Sequence, residues 1–111
     1  MQRLVATIKL DGTNRSLQRT FAAFNVAFFS GQLDSSIRIK FGSVGKCVMG
    51  EYNSADEQIV LNPLLKTLRR FTCLVLLHEM CHVVVAGPGH GKKFQTQMCR
   101  LANIGAFENI W

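Results

Sequence analysis

Five consecutive residues in the last third of the sequence have the types and spacing of a reactive centre: His78-Glu79-Met80-Cys81-His82, inside the apolar run from Leu74 to Val85. Side chains four apart on a helix lie one above the other, so His78 and His82 can grip one metal ion between them. Glu79 lies about 100° round the helix from His78 and about 60° from His82. That brings its carboxylate toward a water on the metal without making it a ligand. The chemistry such a set performs is hydrolysis by a metal-activated water.

The plainer explanation is that these are ordinary helix residues. The neighbours Phe71, Val75, Leu77, Val83 and Val84 weigh against it, because imidazoles sunk in hydrocarbon need polar partners and a metal provides one. The third and last histidine, His90, follows eight residues after His82 in Gly87-Pro88-Gly89-His90-Gly91. Glycine and proline end the helix there and turn the chain, so a returning loop brings His90 in as third ligand. Three histidines with the fourth tetrahedral position left to water is the catalytic rather than the structural zinc arrangement. The expectation is one Zn²⁺ per chain, held by His78, His82 and His90, with Glu79 as the catalytic base.

The same residues resemble a known family. His78-Glu79-Met80-Cys81-His82, then Gly87-Pro88-Gly89-His90-Gly91 and Phe94, are similar to the active-site signature of the SprT-like metalloproteases, which include the Spartan proteases of DNA-protein crosslinks. Phe24-Asn25, Phe28-Phe29, Gly31-Gln32-Leu33 and Ile59-Val60-Leu61-Asn62-Pro63 follow the family pattern in the same order, and the likeness runs from about Leu17 to Phe107. The resemblance implies a minimal zincin-like metalloprotease fold, zinc on the three histidines, Glu79 as base, and proteins bound or crosslinked to DNA as substrates. Many family members carry a cysteine-rich zinc ribbon after the protease domain; the residues through Trp111 show no such element, and targeting through it is not expected here.

Composition bounds the remaining possibilities. With 111 residues, 48% of them hydrophobic and two prolines, the chain fits one globular domain, residues 1–111. Met1 to Lys9 is interrupted by charge before a secretory core develops, and the apolar runs fall short of a membrane span. The expected setting is therefore cytoplasmic, or associated with nucleoid or nucleus, and not secreted. Cys47, Cys73, Cys81 and Cys99 lack paired spacing and read as free, buried thiols, with Cys81 packing beside the histidine face. A net charge of +6 favours acidic partners, nucleic acid above all, through a basic surface drawn from Lys66, Arg69, Arg70, Lys92 and Lys93, while the scatter of the 13 basic residues also suits a merely solvated surface.

The elements that must position the site can be read in order. Residues 4–10 alternate weakly as a strand, cut off by Asp11-Gly12. From Ser16 as N-cap, Leu17, Phe21, Phe24 and Phe28 recur at helical spacing until Gly31. Strands are expected at Ile37 to Phe41, Cys47 to Tyr52 and Gln58 to Leu61, joined by short connections as an antiparallel meander. Asn62-Pro63 opens a helical turn, the main helix runs from about Thr67 to Val85, and Phe94, Met98, Leu101 and Ala102 mark a last helix ending near Gly105. This is an α+β plan of three helices and a small antiparallel sheet. An exposed strand edge beside the metal would accept an extended protein or peptide substrate. Tyr52, the single tyrosine, is either a donor to the oxyanion or an aromatic packed on the sheet. Two further functions fit the same residues: a non-proteolytic zinc-dependent hydrolase, and a metal-stabilised, DNA-associated binding module.

Overall fold

A computed structural model describes residues 8–86 and 89–108. Thr13 caps the first helix, α1 (Asn14–Phe29), its hydroxyl accepting from the Ser16 backbone N–H. The helix thus starts one turn earlier than the Ser16 cap expected from sequence; Ser16 is buried, and its own hydroxyl donates back to the Thr13 carbonyl. Leu17, Phe21, Phe24 and Phe28 form the buried stripe of α1. Beyond Phe29, Ser30 and Gly31 both take positive φ, 54° and 70°, which reverses the chain. Asn25 then fixes the exit: its amide donates to the Leu33 carbonyl at 2.9 Å and accepts from the Leu33 N–H at 3.0 Å.

Three strands follow, β1 (Arg38–Phe41), β2 (Gly50–Asn53) and β3 (Gln58–Leu61). The sheet order is β1-β3-β2, with β1 parallel and β2 antiparallel to β3. The sheet is therefore mixed rather than the antiparallel meander expected, while the α+β plan of three helices and a small sheet stands. The reason lies in the Gly42–Met49 connection, long enough to carry β2 past one strand width, about 5 Å, and leave a slot that β3 fills. β3 is buried almost throughout, as a central strand must be. β2 is shorter than expected, because Cys47 turns left-handed (φ 62°) and Val48 closes a turn onto Gly45. Residues 8–10 form no strand, and residues 4–7 of the expected first strand lie outside the described residues.

The two sheet edges differ. On β1, Gln18 accepts from the Ile39 N–H and donates to the Ile37 carbonyl, while Asn14 accepts from the Phe41 N–H. Side chains of α1 thus occupy that edge. β2 forms the other edge and passes over the second helix.

Asn62 accepts from the Leu64 N–H and donates to the Val48 carbonyl, starting the 3-10 turn Pro63–Thr67. Helix α2 (Arg69–Val85) begins there, later than the Thr67 start expected, and Thr72 ties it down by donating to the carbonyls of Leu65 and Leu68. Between Thr72 and Cys81 α2 is buried on nearly every side, with α1, the sheet and the helix that follows it around it. It ends at Ala86 in the left-handed conformation (φ 55°); Gly87 and Pro88, expected to end it, lie outside the described residues. Helix α3 (Lys92–Asn103) returns along α2, and Arg100 staples it to α1 by donating to the Phe28 carbonyl at 2.7 Å over the Phe29 ring. Phe94 and Leu101 bury its inner face, whereas Ala102 is exposed. None of the four thiols is in a disulfide: Cys73 and Cys81 are buried as expected, but Cys47 and Cys99 are exposed. No helix among the described residues is long and apolar enough to cross a membrane.

Candidate active site

The helical repeat of α2 sets His78 and His82 on one face with ring centroids 5.1 Å apart. The chain then returns so that the His90 ring lies 5.0 Å from His78 and 5.1 Å from His82. One ligand nitrogen from each histidine falls within 4.8 Å of the others. Imidazole nitrogens on one tetrahedral zinc stand about 3.3 Å apart, given bonds near 2.0–2.1 Å. The Nε2 atoms of His78 and His90 are 3.1 Å apart, so the donor set fits such an ion with small rotations of the rings. Burial, then the charges of His82 and His90, pushes the His78 pKa down to about 4. His78 is therefore neutral at physiological pH, as a metal ligand must be.

A fourth ring organises the three. Phe94 is buried in the first turn of α3, stacks on His82 at 4.4 Å and 28°, and meets His78 and His90 at 4.8 Å each. Gln95 beside it donates to the His90 carbonyl at 2.8 Å. Sequence reasoning placed Phe94 in the family signature and the α3 core without giving it this role, and it missed Gln95. The available signal was spacing, since a helix starting right after His90 sends its first inward residue back under the ligands.

Glu79 is 6% exposed and lies outside the three-histidine cluster. Its carboxyl faces β2, where the Tyr52 backbone N–H donates to it. Burial, with the charge of Glu51 adding to it, raises the Glu79 pKa to about 7, and the Tyr52 N–H opposes the rise. Such a carboxyl can both take up and release a proton near neutrality. The close approach of β2 to Glu79 depends on Gly50, where a Cβ would meet Val75 Cγ1 at 2.8 Å and Leu61 Cδ2 at 2.9 Å.

Histidines, Glu79 and the β2 residues Gly50 to Asn53 line one open cleft of about 620 Å³. Tyr52 is half-buried against the core and also lines this cleft; its contact with Glu79 is through the backbone. Cys81 is buried, and burial pushes its thiol up to about 12. It is therefore a packing residue, neither ligand nor nucleophile. The basic residues divide between two places. Lys92 and Lys93 open α3 just after His90 in the chain, whereas Arg69 stands about 14 Å along the helix axis from His78 and donates to the Ile8 carbonyl. Lys66 lies over the Phe41 ring.

The sequence model of the SprT-like family matches residues 17–109. Among solved structures, the crystal structure of the metallopeptidase zymogen jannalysin of Methanocaldococcus jannaschii is similar, with a TM-score of 0.59 and 18% identity over 78% of this chain and 79% of that chain. At that identity the likeness is one of fold. No curated protein matches the sequence. With the family model spanning most of its length, including both helices of the histidine cluster and the sheet edge beside it, the chain belongs to the SprT-like family.

Proposed function

We propose that this domain is a zinc-dependent endopeptidase in which His78, His82 and His90 hold the ion and Glu79 is the general base. The observation that carries this reading is the placement of one buried carboxyl, raised to about 7, between three converging imidazoles and the open edge of the sheet. Zinc in such a site supplies an acidified water and a Lewis acid for the scissile carbonyl. Glu79 takes the proton as the water attacks and delivers it to the leaving amine. Phe94 keeps the imidazoles oriented while they bind. The β1 edge is filled by Gln18 and Asn14, whereas on β2 Glu79 engages one backbone group, the Tyr52 N–H, so an extended peptide has β2 to pair with beside Glu79. A purely structural metal site has no use for the Glu79 carboxyl, which weighs against a binding module without turnover. Hydrolysis of a small amide or ester uses the same groups, and the β2 edge favours the peptide.

Substrates carried on nucleic acid fit the net charge of +6 and the exposed pair Lys92 and Lys93 that follows His90 in the chain. Binding through phosphates falls steeply with salt and is indifferent to sequence. The test is cleavage of casein and of a fluorogenic peptide by zinc-loaded protein, with and without single-stranded DNA, at two salt concentrations. Cleavage with a salt-sensitive gain from DNA supports both parts of the proposal. Cleavage that ignores DNA keeps the peptidase and removes the nucleic acid, and turnover confined to small amides removes the peptidase.

A further inference from the structure

A second hollow of about 300 Å³ adjoins the catalytic cleft, and Tyr52 lines both. Its apolar lining includes Leu33 and Ile37, just after α1, and Val83 and Val84, at the end of α2. Val83 stands one helical turn beyond Glu79 on the same face, so the hollow continues the line of the cleft past Tyr52. The exposed Gln32 amide and two exposed carboxylates, Asp34 and Glu57, complete the lining. Asp34 is held in place by the Ser36 N–H at 2.9 Å and the Ser36 hydroxyl at 2.8 Å. These bonds lower its pKa, so it stays charged. Glu57 is fixed at the β2–β3 turn in a left-handed conformation (φ 50°), its carbonyl accepting from the Arg38 N–H.

The charge distribution runs against the composition. The chain carries 13 basic and seven acidic residues, yet four of those seven, Asp34, Glu51, Glu57 and Glu79, line the two joined cavities. Apolar walls with carboxylates among them match one kind of side chain: a long hydrocarbon stem with a cationic head. An acidic side chain would be repelled, and a plain aliphatic one would cover Asp34 and Glu57 without pairing them.

We infer that the hollow beyond Tyr52 is a substrate subsite that selects a lysine or arginine side chain close to the scissile bond, with Asp34 and Glu57 as its specificity-determining residues. The stem lies on Leu33, Ile37 and Val83, and the head meets the two carboxylates. The inference rests on the peptidase reading of the cleft and names the kind of peptide that cleft takes.

The experiment scans one lysine through an otherwise neutral fluorogenic peptide, with norleucine and glutamate at the same positions as comparisons. It compares wild-type protein with the near-isosteric double variant Asp34→Asn/Glu57→Gln, matched for zinc content and circular dichroism. At one position kcat/KM for lysine should exceed that for glutamate by about tenfold or more, and the ratio should fall toward one in the double variant. A ratio near one in wild type, or one that survives the double substitution, overturns the inference. Equilibrium binding of the lysine and norleucine peptides to zinc-loaded Glu79→Gln, with and without the double substitution, reads the subsite without turnover. If wild type cleaves no peptide, the peptidase reading fails, and the binding arm alone decides the subsite: lysine preference lost with the two carboxylates supports it, equal binding overturns it.

Discussion

Replacing Gly50 by alanine probes the packing that brings β2 onto α2. The new methyl would lie 2.8 Å from Val75 Cγ1, 2.9 Å from Leu61 Cδ2 and 3.4 Å from Glu79 Cγ, where unstrained carbon contacts are about 3.5–4.0 Å. Neither close neighbour can step aside. Val75 and Leu61 are buried, and a β-branched residue within a helix has essentially one side-chain rotamer. The backbone of β2 must lift instead. Overpacking of this kind costs roughly 1–3 kcal/mol, and near 100 residues each kcal/mol lowers the melting temperature by about 4 °C or more, so the zinc-loaded variant should melt roughly 4–12 °C below wild type. Lifting β2 also loosens the Tyr52 N–H from Glu79. That bond opposes the raised pKa, so the acid limb of remaining activity should move to higher pH. Gly91→Ala is the control: φ there is −70° and nothing lies within 4 Å of the added methyl, so it meets no clash and loses only the N-cap preference for glycine over alanine, about 1 kcal/mol or less. Thermal melts followed by circular dichroism, with pH profiles of peptide cleavage, read both effects. A Gly50→Ala melting temperature within about 1 °C of wild type would refute the close packing of β2 on α2.

Other substitutions address the ligands and the base. Elemental analysis should find one zinc per chain in wild type and His90→Ala should lose most of it; undiminished metal in the variant would remove His90 from the site. Phe94→Ala deletes a buried ring packed on all three imidazoles and should cost about 3–5 kcal/mol in denaturant unfolding as well as weakening zinc; a loss under about 1 kcal/mol would show that the ring does not support the ligands. Glu79 must be ionised to accept a proton, so kcat/KM should fall as pH drops below neutrality. Glu51→Gln removes a charge that raises the Glu79 pKa, and the acid limb should then move to lower pH. A limb that stays in place, or moves up, contradicts the coupling of the two carboxyls.

The histidine cluster was legible because its geometry is local: a four-residue spacing on a helix and a glycine-flanked third histidine suffice to bring three imidazoles together. Helix α1 was legible from its aromatic stripe, though Thr13 took the cap that Ser16 also suited, both being hydroxyl residues beside the same apolar run. Strand order was hidden, since short connections look alike whether they join neighbours or skip one. The unbroken Ile59-Val60-Leu61 against the alternating β2 was the trace of a central strand. What depends on distant partners left no pattern to read. Gln18 and Asn14 on the β1 edge, Phe94 beneath the histidines, and the hollow joining Leu33, Tyr52 and Val83 each bring together residues from separate elements.

Glu79→Gln, assayed for metal and for cleavage on the same preparation, tests the central claim most directly. The substitution keeps the side-chain volume and leaves the three histidines intact, but an amide cannot take the proton from the attacking water. The account predicts one zinc per chain, as in wild type, with peptide hydrolysis lower by roughly 10²-fold or more. Full metal with undiminished cleavage would contradict it, because the buried carboxyl between the imidazoles and β2 would then have no part in the chemistry.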